Sequence, residues 1–247
     1  MSDVVTYKPK YGIVCLVDAL GAKNFSEKEV IEFLKSREVI HQALKDKITQ
    51  QIEVRGIKDP KLAFFNDTII IAIEVNIDKP GEEYIALKAM GIIVRKLISD
   101  GISKRIFFRG AIGIGSFFLD LDKDTVIGQA VADAANWSEM PEMIGCILTP
   151  RASMVLEKHR VNDNLPSWIY LDYEAPLKSG KQKMVCINWP KAFFLDEIKP
   201  IGCKEGEELK YLYTKISGGV IPKATECKYY NTIDFFKFSH EQSQVNK

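Results

Sequence analysis

The chain has no CxxC pair and no cluster of cysteine with histidine. Its five cysteines, Cys15, Cys146, Cys186, Cys203 and Cys227, are odd in number and widely spaced. Neither a zinc site nor a disulfide framework is indicated. Cys15 and Cys146 lie inside apolar runs and read as small buried hydrophobes. No apolar run of about 18 residues or more occurs, and the N-terminal MSDVVTYKPK has no apolar signal core. No membrane span is expected, and a reducing cytoplasm is the expected setting. An excess of charge is missing too: 34 Lys and Arg against 33 Asp and Glu leave a net charge of +1. Without a strong field to draw phosphate backbones, no nucleic-acid partner is expected. There is no internal repeat or low-complexity tract. A GxGxxG fingerprint is also absent. Residues 109–115 read RGAIGIG, the wrong spacing and with no capped helix directly after, which excludes a Rossmann site.

What is present fits one large domain or a core domain with an extension: 247 residues, 46% hydrophobic and 27% charged. Residues 13–17 form an apolar run that reads as a buried strand and delivers Asp18 at its end. The turn Ala19-Leu20-Gly21-Ala22 follows, and Ser26 with Glu29 forms a capping box that opens a helix. A strand-end carboxylate beside a small-residue turn and a helix N-terminus can bind a metal-phosphate, the carboxylate holding the cation and free N–H groups the anion. The helix is expected over 26–52, with Val30, Ile31, Leu34, Val39, Ile40, Ala43, Leu44 and Ile48 forming its apolar face. His41 there reads as a surface or satisfied side chain.

Two β-rich runs, 61–65 and 68–74, flank Asn66-Asp67 and predict a hairpin packed centrally in a sheet. If it lies beside the first strand, Asp18 and Asp67 meet at one edge. A second helix is expected over 81–99, ending at Asp100-Gly101. Residues 105–114 read as a strand whose glycines imply close approach of another backbone or a ligand. Then come a charged turn at 120–124, a short strand from Thr125, and an alanine-rich helix after Gly128. A strand at 144–148, a helix from Pro150, and strands at 168–173 and 183–189 complete the core. The order β-α-β-β-α-β predicts an α+β fold with a ferredoxin-like split βαβ core. The core domain is expected over 11–189. Residues 190–247 read as a C-terminal extension, helical near 205–213 and 231–238, its aromatics packed on the core or on a second subunit.

Two carboxylates at a strand end and a hairpin turn suit a pair of divalent ions, and Mg²⁺ prefers a few carboxylates together with substrate phosphates. The motifs VDALG at 17–21, FNDT at 65–68, RGAIGIG at 109–115 and VIGQAVADAANWSE at 126–139 occur in order. Over about residues 11–160 the chain resembles the class III nucleotidyl cyclase catalytic domain. The resemblance implies Asp18 and Asp67 as catalytic residues and ligands of two Mg²⁺ or Mn²⁺ ions, with the carbonyl of Ala19 assisting. It implies that Ala19, Leu20, Gly21, Ala22 and Lys23 receive a triphosphate, and that two subunits arranged head to tail form the sites. The implied reaction is attack of a ribose 3′-hydroxyl on the α-phosphate with release of pyrophosphate.

The sequence departs from that pattern in three places. The family's Asn and Arg pair falls on Ala132 and Asn136. The base-selecting Lys ahead of the hairpin falls in Leu62-Ala63-Phe64-Phe65, and the second selector falls on Thr125. RGAIGIG and the helix ending in Ser138-Glu139 resemble the bacterial pyrimidine cyclases of Pycsar antiphage defence. That likeness implies cyclisation of UTP ahead of CTP, with a separate effector responding to the product. Arg109 becomes a candidate substrate contact, or else a surface arginine pairing with a carboxylate. Phe65 is a candidate base contact, or else a core side chain. The alternative function is an inactive cyclase-like dimer that binds nucleotide or a protein partner, or a diverged adenylate or guanylate cyclase. The GG[DE]EF hairpin of diguanylate cyclases is absent.

Overall fold

The computed structural model describes residues 8–22, 26–43, 59–120, 125–160, 167–195, 199–219, 221 and 223–245. The run that opens the fold is β1, Lys10–Ala19, whose interior is fully apolar from Ile13 to Val17. It needs no alternation, because both of its faces are covered. Ile13, Cys15 and Val17 turn to the main core. Val14 and Leu16 turn to a second, smaller cluster with Ala130 and Ala134.

After β1 come α1 (Glu27–Ala43), β2 (Lys61–Phe65), β3 (Thr68–Glu74), α2 (Glu82–Ser103) and β4 (Phe108–Asp120). Then follow β5 (Thr125–Gly128), α3 (Gln129–Ser138), β6 (Gly145–Leu148), α4 (Pro150–Arg160), β7 (Tyr170–Leu177) and β8 (Gly180–Ile187). The sheet order is β2-β3-β1-β4-β6-β8-β7, with β5 pairing the end of β4. The first six elements place β2, β3, β1 and β4 side by side and antiparallel. This is the ferredoxin-like α+β arrangement expected from the element order.

Local chemistry accounts for the boundaries. The Ser26 backbone N–H donates to the Glu29 carboxylate at 2.8 Å, and the Glu29 N–H donates to Ser26 Oγ at 3.4 Å, so the capping box closes. Asn66 turns the β2–β3 hairpin at φ 52°, a left-handed conformation that asparagine tolerates. Of the strand glycines, Gly113 shows its reason most clearly. A Cβ there would lie 2.8 Å from the Ala130 carbonyl oxygen and 2.9 Å from the Ala134 nitrogen, so its absence lets α3 press onto β4. The neighbour is therefore another backbone.

Four expectations are corrected. On α1, Phe33 and Ser36 are buried, while Val30, Ile31 and Leu34 are 40%, 46% and 44% exposed. The most apolar stripe is thus not the face that packs; the remainder of that helix reading, 44–52, and the side chain of His41 lie outside the described residues. The hairpin is not wholly central, since β3 is interior but β2 is the sheet edge. Helix α2 runs through Gly101 to Ser103, because the glycine serves packing: a Cβ there would meet the Ile106 carbonyl at 2.6 Å. Finally, β4 begins at Phe108 and continues to Asp120, well beyond the expected 114.

Beyond residue 189 lie a 3₁₀ turn (Trp189–Phe194), α5 (Glu208–Ser217) and α6 (Glu226–Val245). Trp189 is fully buried and donates Nε1–H to the Ile144 carbonyl at 3.1 Å. Phe193, Phe235 and Phe236 surround its ring at centroid distances of 5.8, 6.2 and 5.9 Å. Tyr213 and Tyr230 remain exposed. Trp189→Ala removes the centre of this aromatic packing and one buried hydrogen bond. It is expected to cost about 3–5 kcal/mol, read as a lower midpoint in urea denaturation. An unchanged midpoint would contradict this account of the packing.

Candidate functional site

The β1 register decides what surrounds Asp18. On one side Asp18 is opposite Thr68 of β3, and on the other it is opposite Arg109 of β4. Thr68 Oγ1 donates to the Asp18 carboxylate at 3.3 Å. An Arg109 guanidinium nitrogen, Nη2, stands 4.0 Å from the other carboxylate oxygen. The hairpin turn closes over the end of β1, where the Ala19 N–H donates to the Asp67 carbonyl at 3.2 Å. Asp18 and Asp67 therefore meet at one edge of the sheet.

Their charges interact. Burial raises the Asp18 carboxyl above its ordinary value, and the Asp67 carboxylate raises it further. Arg109 and the Thr68 hydroxyl pull it down, and Glu139 pushes it up again. The net direction is upward, so burial and carboxylate repulsion outweigh the guanidinium and the hydroxyl. Two repelling carboxylates at a strand end fit a divalent cation, which takes one or two carboxylates and fills its remaining positions with water or phosphate oxygens. Among the described residues, no group of three or more His, Cys, Asp or Glu side chains is placed to hold a metal. The donor set fits an ion that also draws on backbone and substrate oxygens.

Of the turn residues, Ala19 and Leu20 have their N–H groups engaged, the latter with the Phe107 carbonyl at 2.7 Å. An anion would therefore meet the turn from Gly21 onward. Gly21 adopts φ 82°, and a Cβ on it would meet nothing within 4 Å, so the approach is open. Ala22 is half-buried, and Lys23 lies outside the described residues. Phe65 ends β2 at 39% exposure, which makes it a rim side chain and not a core one. Arg109 is only 9% exposed, so it is not a surface arginine. Its Nη1–H donates to the Glu139 carbonyl at 3.0 Å, and its buried Nε has no hydrogen-bond partner among the described residues.

Sequence reasoning missed two contributors. Thr68 directly follows Asp67, and its hydroxyl on Asp18 follows from strand pairing alone. Glu139 is the C-cap of α3 and faces the site both through its carbonyl and through its charge on Asp18. No local signal marks a carbonyl as an arginine acceptor. On α3, Ala132 and Asn136 are both exposed. Two clefts, of about 250 and 460 Å³, lie elsewhere, and Asp18, Asp67 and Arg109 line neither.

No known protein-family model matches the chain, and neither does any curated protein. Among solved structures, the adenylyl cyclase CyaB from P. aeruginosa is similar at 12% identity and TM-score 0.43, covering 80% of this chain and 100% of its own. The catalytic core of a rhodopsin-guanylyl cyclase with converted specificity, in complex with ATPαS, is similar at 12% identity and TM-score 0.48, covering 74% and 98%. An adenylate/guanylate cyclase/hydrolase from Silicibacter pomeroyi is similar at 15% identity and TM-score 0.41, covering 73% and 96%. At 12% to 15% identity these are distant likenesses. No helix among the described residues is long and apolar enough to cross a membrane.

The raised Asp18 carboxyl has a sign that can be checked. Its neutral form is the one the fold favours, so the penalty is absent below the unfolded carboxyl pKa. The penalty grows as pH rises from the unfolded carboxyl value towards the raised folded one, and it is full above that. In chelator-treated protein, Asp18→Asn is therefore expected to raise Tm by roughly 2–4 °C at neutral pH, about what 1 kcal/mol gives in a chain of this size. Near pH 3 the gain should vanish. A lower Tm at neutral pH would mean that Arg109 and Thr68, not repulsion, dominate the edge.

Proposed function

We propose that this protein is a metal-dependent nucleotidyl cyclase acting on a pyrimidine nucleoside triphosphate, UTP ahead of CTP. The observation that carries the reading is the convergence of Asp18 and Asp67 beside an open glycine turn. Such a repulsive pair costs stability unless a cation offsets it.

In this reading Asp18, Asp67 and the Ala19 carbonyl would hold two Mg²⁺ or Mn²⁺ ions, which when bound would polarise the phosphate oxygens and the attacking hydroxyl. The triphosphate lies against the turn at Gly21 and Ala22, and Lys23, next in the sequence, is a further proposed contact. Phe65 offers its exposed ring to the base. Arg109 keeps a fixed positive charge beside Asp18 and moderates the negative potential that the triphosphate meets. The 3′-hydroxyl oxygen bonds to the α-phosphorus and releases its proton to water. The bond from that phosphorus to the bridging oxygen breaks, and pyrophosphate leaves. The sites belong to a homodimer, and the cyclic nucleotide is a second messenger that a separate effector reads in antiphage defence.

A second reading has its own support. Exposed Ala132 and Asn136 on α3 lack the side chains that the cyclase resemblance would place there. An inactive dimer that binds nucleotide or a protein partner fits that observation.

The direct test is incubation with each of the four ribonucleoside triphosphates and Mn²⁺ or Mg²⁺, with products identified by mass spectrometry. Cyclic UMP or cyclic CMP is expected, and Asp18→Ala or Asp67→Ala should lower the rate by about 10²–10³-fold or more. Cyclic AMP or GMP as the main product overturns the pyrimidine assignment. Bound nucleotide with no product favours the inactive dimer.

A further inference from the structure

Arg109 is held loosely for so buried a cation. Its Nε makes no hydrogen bond among the described residues, and its Nη2 stands 4.0 Å from Asp18, at the outer limit of an ion pair. The firm tether is Nη1–H to the Glu139 carbonyl at 3.0 Å. Whatever fixes the segment from Glu139 to Ile144 therefore fixes the guanidinium beside Asp18.

That segment is gripped from two sides. On one side the β7–β8 hairpin binds it through backbone: the Glu142 N–H donates to the Pro176 carbonyl at 2.8 Å, and the Lys178 N–H donates to the Met140 carbonyl at 2.9 Å. On the other side α6 binds it through side chains. Asn231 Nδ2–H donates to the Glu142 carbonyl at 2.8 Å, and the Ile144 N–H donates to Thr232 Oγ1 at 2.8 Å. Lys228 adds an ion pair to Glu142 at 3.4 Å. The next residue, Gly145, is the β6 neighbour of Arg109 in the sheet, so Thr232 also sets the strand that flanks the Arg109 backbone. Thr232 is fully buried, more than 80 residues along the chain from its partner.

We propose that the C-terminal helix is part of the candidate site, with Thr232 and Asn231 as positioning residues that hold Arg109 against Asp18. The hydrogen bonds run from α6 to the 139–144 segment and on to the guanidinium. Those bonds hold Arg109 whether or not the protein is a cyclase. Its consequence for catalysis rests on the cyclase reading above.

Two readouts keep the claims separate. With arginine labelled with ¹⁵N, exchange of the buried Arg109 Nε–H reports the guanidinium directly and needs no metal, nucleotide or turnover. Loss of one buried acceptor in Thr232→Val is expected to speed that exchange about tenfold. Thr232→Ser, which keeps the oxygen, should restore it. Unchanged exchange in Thr232→Val overturns the proposal. So does equal acceleration in Thr232→Ser, because packing rather than the hydrogen bond would then be responsible. Should Thr232→Val fail to fold, Asn231→Ala, at a half-buried position, carries the same expectation and the same overturning result. Cyclase kinetics on the same variants form the second arm, with a fall in kcat expected at nearly constant KM. Faster exchange in a protein that makes no cyclic nucleotide supports the placement while removing the cyclase reading.

Discussion

The register of β1 between β3 and β4 is the constraint on which the candidate site depends. Side chains alternate along a strand, so a slip of one residue would turn Asp18 away from both Thr68 and Arg109. The same slip would exchange the core faces of Ile13, Cys15 and Val17 with those of Val14 and Leu16. Because both faces are packed, one by the main core and one by the cluster under α3, the slip is opposed by the whole interior. Hydrophobic burial thus fixes the place of a carboxylate that burial itself disfavours.

The opposition between fold and charge runs through the site. Asp18 is brought to Asp67 by pairing that the apolar sheet enforces, and its carboxyl is pushed upward as a result. Arg109 offsets part of this cost from the neighbouring strand, yet it is almost buried and stands 4.0 Å from the Asp18 carboxylate. Arg109 and the Thr68 hydroxyl make an ionised Asp18 less costly, while Asp67 and Glu139 make it more so. Such coupled, strained charge is where functional chemistry is expected to lie.

Much of this was legible in the sequence wherever signals were local. The apolar run ending in Asp18, the Ser26–Glu29 box and the Asn66-Asp67 turn each carry a short-range mechanism, and each stands in the structure. The α1 face was misread because periodicity records which residues are apolar, not which neighbour is near. Phe33 packs while Val30, Ile31 and Leu34 do not. Gly101 looked like a helix terminus, but it is an internal close approach to the chain at Ile106, and composition cannot separate the two. The surroundings of Arg109 were least legible. Its partner is a backbone carbonyl 30 residues away, positioned by a helix more than 80 residues away.

Asp18 and Asp67 are proposed to hold a divalent cation together. Titration of the protein with Mn²⁺ in the presence of UTP, followed by the loss of the free-ion electron paramagnetic resonance signal, tests it most directly. Saturable binding is expected, which Asp18→Asn and Asp67→Asn should each weaken by about tenfold or more, since each would remove one of two charged ligands. Equal Mn²⁺ affinity in the wild type and in both variants would contradict it.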